Sequence, residues 1–371
     1  MKKLMMAGAA LALGTTAATA GGVERSTQSV GILFEKGNYA ELNFGGFKPD
    51  VSGTVAGGLV SSGDMAVDYG TYSLGYKQAL NDKIDLAIII DQSTGAKVNY
   101  PAGLLYPLSG STASITSNTV TALLRYKLPE NFSLIGGLRI DSASGKARLT
   151  AVTHPLLGTY TLNTSTETDL GYVVGVAWEK PEIAARVALT YNSKIDHKFK
   201  ATEWGMDPTL LGAATDRFTT TIPESVNLEF QTGVAKDTLV FGSVRWVHWT
   251  QFDISPPIYS SPAAVNDALV SYSSNTTTYT LGVGRKFSEK WSGAVSIGYE
   301  KHDGGTVGNL GPTDGYKSIG LAATYQATDN IKISGGLRYV DIGNAVTNAP
   351  ISGQFKDNSG WGAGIRVGIT F

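Results

Sequence analysis

The 371-residue sequence has no cysteine and only four histidines, with a formal net charge of -1. Beyond its first twenty residues it has no apolar run approaching the roughly 18–20 residues that a membrane-crossing helix needs. Each absence excludes something. Without cysteine there is no disulfide, no thiolate metal site and no thiol nucleophile. His154, His197, His248 and His302 are scattered without metal-ligand spacing, so no metal site is expected. The near-neutral charge argues against a nucleic-acid partner. The glycine pair in GVGRKF at 282–287 sits inside a strand pattern and lacks the strand–loop–helix context of a phosphate loop. No nucleophile motif stands out, so no catalytic residue is assigned, no enzyme activity is read and no cofactor is expected.

What is present begins with a leader. Lys2 and Lys3 precede an apolar centre from Leu4 to Leu13, and Ala18-Thr19-Ala20 forms a small-residue cleavage site. Residues 1–20 therefore read as a secretory signal peptide. An exported chain with no disulfides and no spanning helix must stabilise itself otherwise, and closing a sheet on itself does so while removing its edges.

The remainder alternates with a period of two. In 224–231, Val226, Leu228 and Phe230 share one face, opposite Ser225, Asn227, Glu229 and Gln231. Val240, Val244 and Trp246 repeat the pattern after a turn at 232–237. Similar hairpins recur at 67–91, 116–143, 168–194, 276–300 and 315–342, with single strands at 38–47 and 359–371. This gives about 14 strands, many near the roughly 9–11 residues that cross a bilayer when tilted. Turns of a few residues alternate with long connections at 48–66, 92–115, 144–167, 195–221, 253–275, 301–314 and 343–358. Regular alternation of that kind belongs to an outer-membrane barrel, not to a soluble sandwich. The predicted fold is thus an all-β, 14-stranded antiparallel transmembrane β-barrel at 38–371. A short N-terminal plug at 21–37 precedes it.

Leu134, Leu138 and Ile140, or Ile331, Ile333, Leu337 and Tyr339, are expected to face lipid, with Arg139, Lys332 and Arg338 facing the lumen. A charge at the lipid midplane would cost roughly 2–4 kcal/mol. The last strand ends on an aromatic residue, Phe371, which resembles the signal read by the barrel-insertion machinery. The expected location is the outer membrane of a Gram-negative cell, among lipid and lipopolysaccharide, as a monomer.

IPES at 222–225 and WTQF at 249–252 resemble the FadL family of outer-membrane transporters for long-chain fatty acids and other hydrophobic compounds. QSVGILFEKGNYAEL at 28–42, KPDVSG at 48–53 and DQSTGAKVNYPAG at 91–103 are similar to its shorter members. The resemblance implies capture of a hydrophobic ligand by external loops, passage into the barrel and lateral exit through the wall, beside a kink in the third strand. Gly95 is the expected kink position, since glycine within a strand marks a bulge or bend. The Asn-Pro-Ala segment of the longer members' hatch is absent, so residues 21–37 would do a reduced version of its job.

Two sets of residues are candidates for ligand contact. Leu149, Val152, Leu156, Leu157 and Tyr160 in one long connection, and Phe199, Trp204, Met206, Leu210 and Leu211 in another, form apolar clusters where water would favour polar side chains. They line a capture groove or pack the loops into a cap. Lys146, Arg148, Lys198 and Lys200 nearby either attract a carboxylate head or are solvated surface charge. In the lumen, Arg125, Arg139, Arg186, Arg245 and Arg338 offer bidentate carboxylate contacts or fill the barrel with ion pairs. The expected function is passive uptake of fatty acids, aromatics or other hydrophobic compounds. The alternatives are a general porin for polar solutes, a structural or adhesive barrel, and an outer-membrane hydrolase.

Overall fold

A computed structural model describes residues 22–150, 159–205, 214–262 and 264–371. The leader lies outside the described residues, as do Val152, Leu156, Leu157, Met206, Leu210 and Leu211. Fourteen strands close into one antiparallel barrel. They are β1 (Tyr39–Asp50), β2 (Tyr69–Ala79), β3 (Ile84–Asp91 and Gly95–Asn99), β4 (Thr112–Lys127) and β5 (Phe132–Thr150). Next come β6 (Thr159–Thr164 and Glu167–Lys180), β7 (Ala185–Asn192 and Ile195–Trp204), β8 (Ala214–Ile222 and Ser225–Ala235) and β9 (Thr238–Val247). The circuit ends with β10 (Thr276–Lys286), β11 (Trp291–Glu300), β12 (Tyr316–Gln326), β13 (Ile331–Ile342) and β14 (Asn358–Thr370). Each strand pairs with the next, and β1 closes on β14 from Tyr39 opposite Thr370 to Asp50 opposite Ser359. Closure removes the free strand edges that lipid could not satisfy, except along β2 beyond Ser73 to Tyr69, which pairs with β1 alone.

The period of two sets the two faces. Outward positions form an apolar belt that includes Leu138, Ile140, Leu170, Val174, Leu189, Leu281, Ile297, Leu321, Leu337 and Ile365, all open to the surroundings. Aromatic residues gather toward the belt's margins, where amphipathic rings favour the headgroup level. Trp291 lies 4.8 Å from Tyr325 at one margin, and Tyr339 lies 5.0 Å from Trp361 at the other. Arg125, Arg139, Arg186, Arg245, Arg338 and Arg366 all point inward, as the cost of charge in lipid dictates.

Two inward glycines let the seam between β1 and β14 close. A Cβ on Gly360 would lie 2.3 Å from the Phe47 ring, and one on Gly368 would lie 2.2 Å from the Tyr39 hydroxyl. The aromatic rings occupy the space that side chains would fill.

The sequence pattern placed the strands but stopped some of them short. Strands β5, β6, β7 and β8 rise well above the belt, to Thr150, from Thr159, to Trp204 and from Ala214. Much of what read as loops at 144–167 and 195–221 is therefore paired sheet. Beyond the belt, alternation loses its lipid-facing apolar half, so the period-two signal fades while the ladder continues. Residues 92–115, read as loop, likewise contain Gly95–Asn99, which rejoins the sheet beside β4.

Leu321 stands mid-belt, flanked across the ladder by Val295 and Leu337. Leu321→Arg is expected to destabilise the barrel by roughly 2–4 kcal/mol. Urea unfolding in phospholipid vesicles would measure it, and an unchanged midpoint would place this face away from lipid.

Candidate functional site: the interrupted third strand and the lumen behind it

β3 leaves its neighbour partway up. The β2–β3 ladder ends at Ser73 opposite Asp91, while β2 continues to Tyr69 paired with β1 alone. Beyond the break β3 pairs with β4, Gly95 standing opposite Thr116. Asp91 stands opposite Thr119, so the third strand spends one residue more than its partner across the interruption. That is a bulge, and it turns consecutive residues Ser93 and Thr94 into the interior, both buried. The wall is thus unladdered between the Ser73–Asp91 pair and the level of Ala66, where a bridge to Val98 and the Asn99 N–H donating to the Met65 carbonyl (2.9 Å) rejoin the two segments. On the outer side, the Tyr72 hydroxyl crosses this gap to donate to Asn118 Oδ1 on β4 at 2.8 Å.

The bulge strands backbone groups that a regular strand would pair with a neighbour, and the N-terminal segment takes them up. Gly95 N–H donates to the Val23 carbonyl (2.7 Å) and Arg25 N–H to the Ser93 carbonyl (2.9 Å). A Cβ at Gly95 would lie 2.6 Å from Arg25 Nε, which donates to the Gly95 carbonyl at 2.8 Å. The expected kink thus falls at 92–94, and Gly95 supplies the surface on which Arg25 lies. The Arg25 guanidinium also stacks 3.5 Å over the Tyr69 ring.

From there the segment runs down the lumen. Glu24 forms a bidentate ion pair with Arg245, Ser26 donates to Asp91 (2.5 Å), and Asn227 donates to the Thr27 carbonyl (2.7 Å). Ser29 and the Val30 N–H both donate to Glu229. Leu33 packs with Leu123, Ile135 and Val173, and Phe34 is held between Arg125 (4.4 Å) and Arg186 (4.6 Å). Lys77 closes the lower end by donating to the carbonyls of Glu35 and Gly37 at 3.1 and 2.7 Å.

A buried polar cluster anchors the bulge from the other side. Asp141 accepts from Ser93 Oγ (3.0 Å) and Thr119 Oγ1 (2.5 Å), and its second oxygen meets His197 Nε2 at 3.0 Å. His197 Nδ1 lies 2.9 Å from Asp169. Thr94 is fixed through both its N–H and its hydroxyl to Ser117 Oγ. Ser93 is therefore bonded to the carboxylate and not to the imidazole, so no serine nucleophile with a histidine base is assembled here. Among the described residues, no group of side chains has metal-binding geometry.

Three spaces surround this junction. Under the external loops, a cavity of about 80 Å³ is lined by Phe199, Phe218, Phe252, Leu269, Leu310 and other apolar side chains. A second, of about 270 Å³, shares Val23, Val98 and Tyr272 with it and adds Tyr69 and Glu300. A third, of about 240 Å³, lies in the lumen between residues 25–31 of the N-terminal segment and the wall. It reaches Arg139, Arg186 and Glu229, and borders the unladdered stretch at Ser73, Asp91 and Gln92.

The predicted apolar residues divide among these surroundings. Leu149 and Tyr160 are buried together in a cluster at the top of the barrel, and Phe199 lines the small cavity. Trp204 is exposed. Of the lumen arginines, Arg125 holds Glu179, Arg245 holds Glu24 and Arg338 donates to Ser318. Arg139 is 1% exposed, and its three guanidinium nitrogens make no hydrogen bond. Sequence reasoning missed the 253–275 connection, which folds inward and supplies Ile254, Leu269, Val270 and Tyr272 to the small cavity. Its apolar content was the available signal. Burial, with Asp267 adding, pushes the Tyr259 hydroxyl up to about 12, so that hydroxyl stays neutral at physiological pH.

The sequence and the fold both have known counterparts. Residues 40–355 match the family model described as outer membrane protein transport protein (OMPP1/FadL/TodX). The chain belongs to this family. It is an outer-membrane β-barrel of a family of transporters and channels for hydrophobic compounds. Its fold is similar to that of a Pseudomonas aeruginosa FadL homologue, at 15% identity and a TM-score of 0.74, covering 99% of this chain and 96% of that one. It is also similar to the Pseudomonas putida toluene transporter TodX, at 12% identity and a TM-score of 0.66, covering 91% and 90%. The Ralstonia pickettii toluene transporter TbuX gives 12% identity and a TM-score of 0.61 over 91% and 90%. At these identities the likeness concerns the fold. No curated protein sequence matches the chain.

Arg245→Met would leave Glu24 unpaired in the lumen, a change that typically costs roughly 3–5 kcal/mol. Residues 22–26 are expected to detach from the bulge, exposing Arg25 to trypsin in the folded barrel. Continued protection would show that the hydrogen bonds to Ser93 and Gly95 hold the segment without the ion pair.

Proposed function

We propose that this protein admits hydrophobic molecules by passive diffusion. The external apolar cavity captures them, the lumen beside residues 25–31 passes them on, and they leave sideways between β2 and β3. The observation that carries this reading is the ladder ending at Ser73 and Asp91, directly against the lumen cavity. A polar solute needs no such opening in the wall, and a lumen occupied by the N-terminal segment does not suit a wide porin. Neither TodX nor the "CymD monoaromatic hydrocarbon channel" exceeds 12% identity to this chain, so their ligands serve here only as candidates.

Substrate class turns on Arg139. A buried guanidinium without a hydrogen-bond partner favours a ligand bearing a carboxylate, because the pairing would offset its desolvation. Long-chain fatty acids thus fit better than plain hydrocarbons. A second reading, monoaromatic hydrocarbons, is favoured by the small volume of the apolar cavity.

Because the chain has no cysteine, site-directed cross-links are clean. Tyr72→Cys with Asn118→Cys, joined by a short bismaleimide, is expected to cut oleate uptake in a transporter-deficient strain about tenfold, a barrier of some 1.4 kcal/mol. Unchanged uptake would rule out exit between β2 and β3. Arg139→Leu is expected to lower oleate uptake several-fold, by the roughly 1.5–3 kcal/mol of a charged hydrogen bond or a fraction of it. Toluene uptake should be unaffected. Equal effects on both substrates would reject carboxylate recognition by Arg139.

A further inference from the structure

Above the apolar belt, the outward faces of β3, β5, β7 and β8 carry cations, with hydroxyl and amide side chains of β4 and β6 between them. The belt ends on these strands at Val120, Ile140 and Leu170, and the outward positions beyond are polar. Lys97 stands opposite Ser114, which stands opposite Lys146, which stands opposite Asn163. One step higher, Thr112, Arg148 and Thr161 form a row. On β7 and β8, Lys200 faces Arg217 and Lys198 faces Thr219. All six cations are exposed, and their inward neighbours Ala147, Leu149, Phe199 and Ala201 are buried. Arg148, Lys198, Lys200 and Arg217 line none of the three cavities, whereas Lys146 and Lys97 border the small cavity and its neighbour at their bases while their side chains are exposed.

Among the described residues, no ion pair neutralises any of the six. Asp196, on the same outward face, is held by Lys194 at 3.0 Å and accepts from Thr221 at 2.7 Å. Elsewhere on the rim, charges come in opposite pairs: Lys317 stands directly across the ladder from Asp341, and Lys301 lies 3.8 Å from Asp303. Like charges facing each other across a ladder, as Lys200 and Arg217 do, are destabilising unless an anion lies between them. Six to eight residues beyond Ile140, at about 3.3 Å per residue and a tilt near 40°, put Lys146 and Arg148 roughly 15–20 Å above the belt. That is the level of phosphorylated sugars, not of acyl chains. The hydroxyl and amide side chains between the cations suit the same saccharide.

We infer that the outward face of β3–β8 docks the phosphorylated saccharide of lipopolysaccharide in the outer leaflet. The inference rests on the outer-membrane location and is independent of the transport reading.

The test titrates the full-length protein in detergent with a short-core lipopolysaccharide, reading retained glycolipid by native mass spectrometry. The comparators are the same glycolipid with its phosphates removed, and inorganic phosphate. The variant combines Lys97→Gln, Lys146→Gln, Arg148→Gln, Lys198→Gln, Lys200→Gln and Arg217→Gln, with folding verified by heat-dependent gel mobility. A control variant carries Lys48→Gln, Lys301→Gln and Lys317→Gln. The phosphorylated glycolipid is expected to bind the unaltered protein and the control variant at least about tenfold more tightly than the six-site variant, and less tightly in high salt. Should the six-site variant fail to fold, its β3–β5 and β7–β8 halves are compared separately, each expected to lose part of the affinity. Equal binding by wild type and variant would overturn the inference, as would equal binding of the dephosphorylated glycolipid. Retention of inorganic phosphate strong enough to displace the glycolipid would overturn the assignment to a lipid source.

Discussion

The molecule depends on how the backbone groups freed at the third strand are paired. In a lipid-embedded wall, each N–H and C=O needs a partner within the protein, because the surroundings offer none. At Ser93 to Gly95 the strand turns inward and gives up its ladder with β2. The groups it frees are taken up by Val23 and Arg25 from the N-terminal segment. The bulge and the inserted segment are thus one structural feature, since neither has its hydrogen bonds complete alone.

That mutual need organises the interior. Arg25 can approach only because residue 95 is glycine, and its position brings Glu24 to Arg245 and Ser26 to Asp91. Asp141 holds Ser93 from behind while His197 spans Asp141 and Asp169. Around Ser93, Thr94 and Asp141 the polar contacts are satisfied, the condition under which such networks rigidify a structure. Arg139 makes no hydrogen bond from any of its three guanidinium nitrogens, and Arg186 leaves its Nε unpaired while its guanidinium meets the Phe34 ring.

The outside obeys a simpler rule with two consequences. Where the wall meets hydrocarbon, only apolar outward residues are tolerated. Where it rises past the hydrocarbon, that constraint lifts, and β5 to β8 carry lysine, arginine and threonine instead. The same transition that hides strand ends from a periodicity reading marks the height at which the protein meets sugars and phosphates. Apolar residues in these extensions then turn inward, where Leu149, Tyr160 and Phe199 cover the top of the barrel beneath the loops.

The alternation of side chains, by itself, determined the strand number, the order of hairpins, the lipid and lumen faces and the inward arginines. Those properties are local, since a residue's face depends only on its parity along a strand. The sequence singled out Gly95 as the kink, through glycine and the resemblance of the surrounding residues, whereas the bulge lies at 92–94 and Gly95 makes room for Arg25. What only the tertiary structure decided are relations between residues far apart in the chain. Examples are Glu24 against Arg245, Ser93 against Asp141 and His197, and the 253–275 connection folded onto β7 and β8. No periodicity encodes such pairings, because they arise from closure of the barrel, which brings strands of distant sequence onto one lumen. The same closure sorted the arginines into those that bond protein groups, Arg186, which meets the Phe34 ring with its Nε unpaired, and Arg139, which makes no hydrogen bond, a distinction that six inward-facing positions in sequence could not contain.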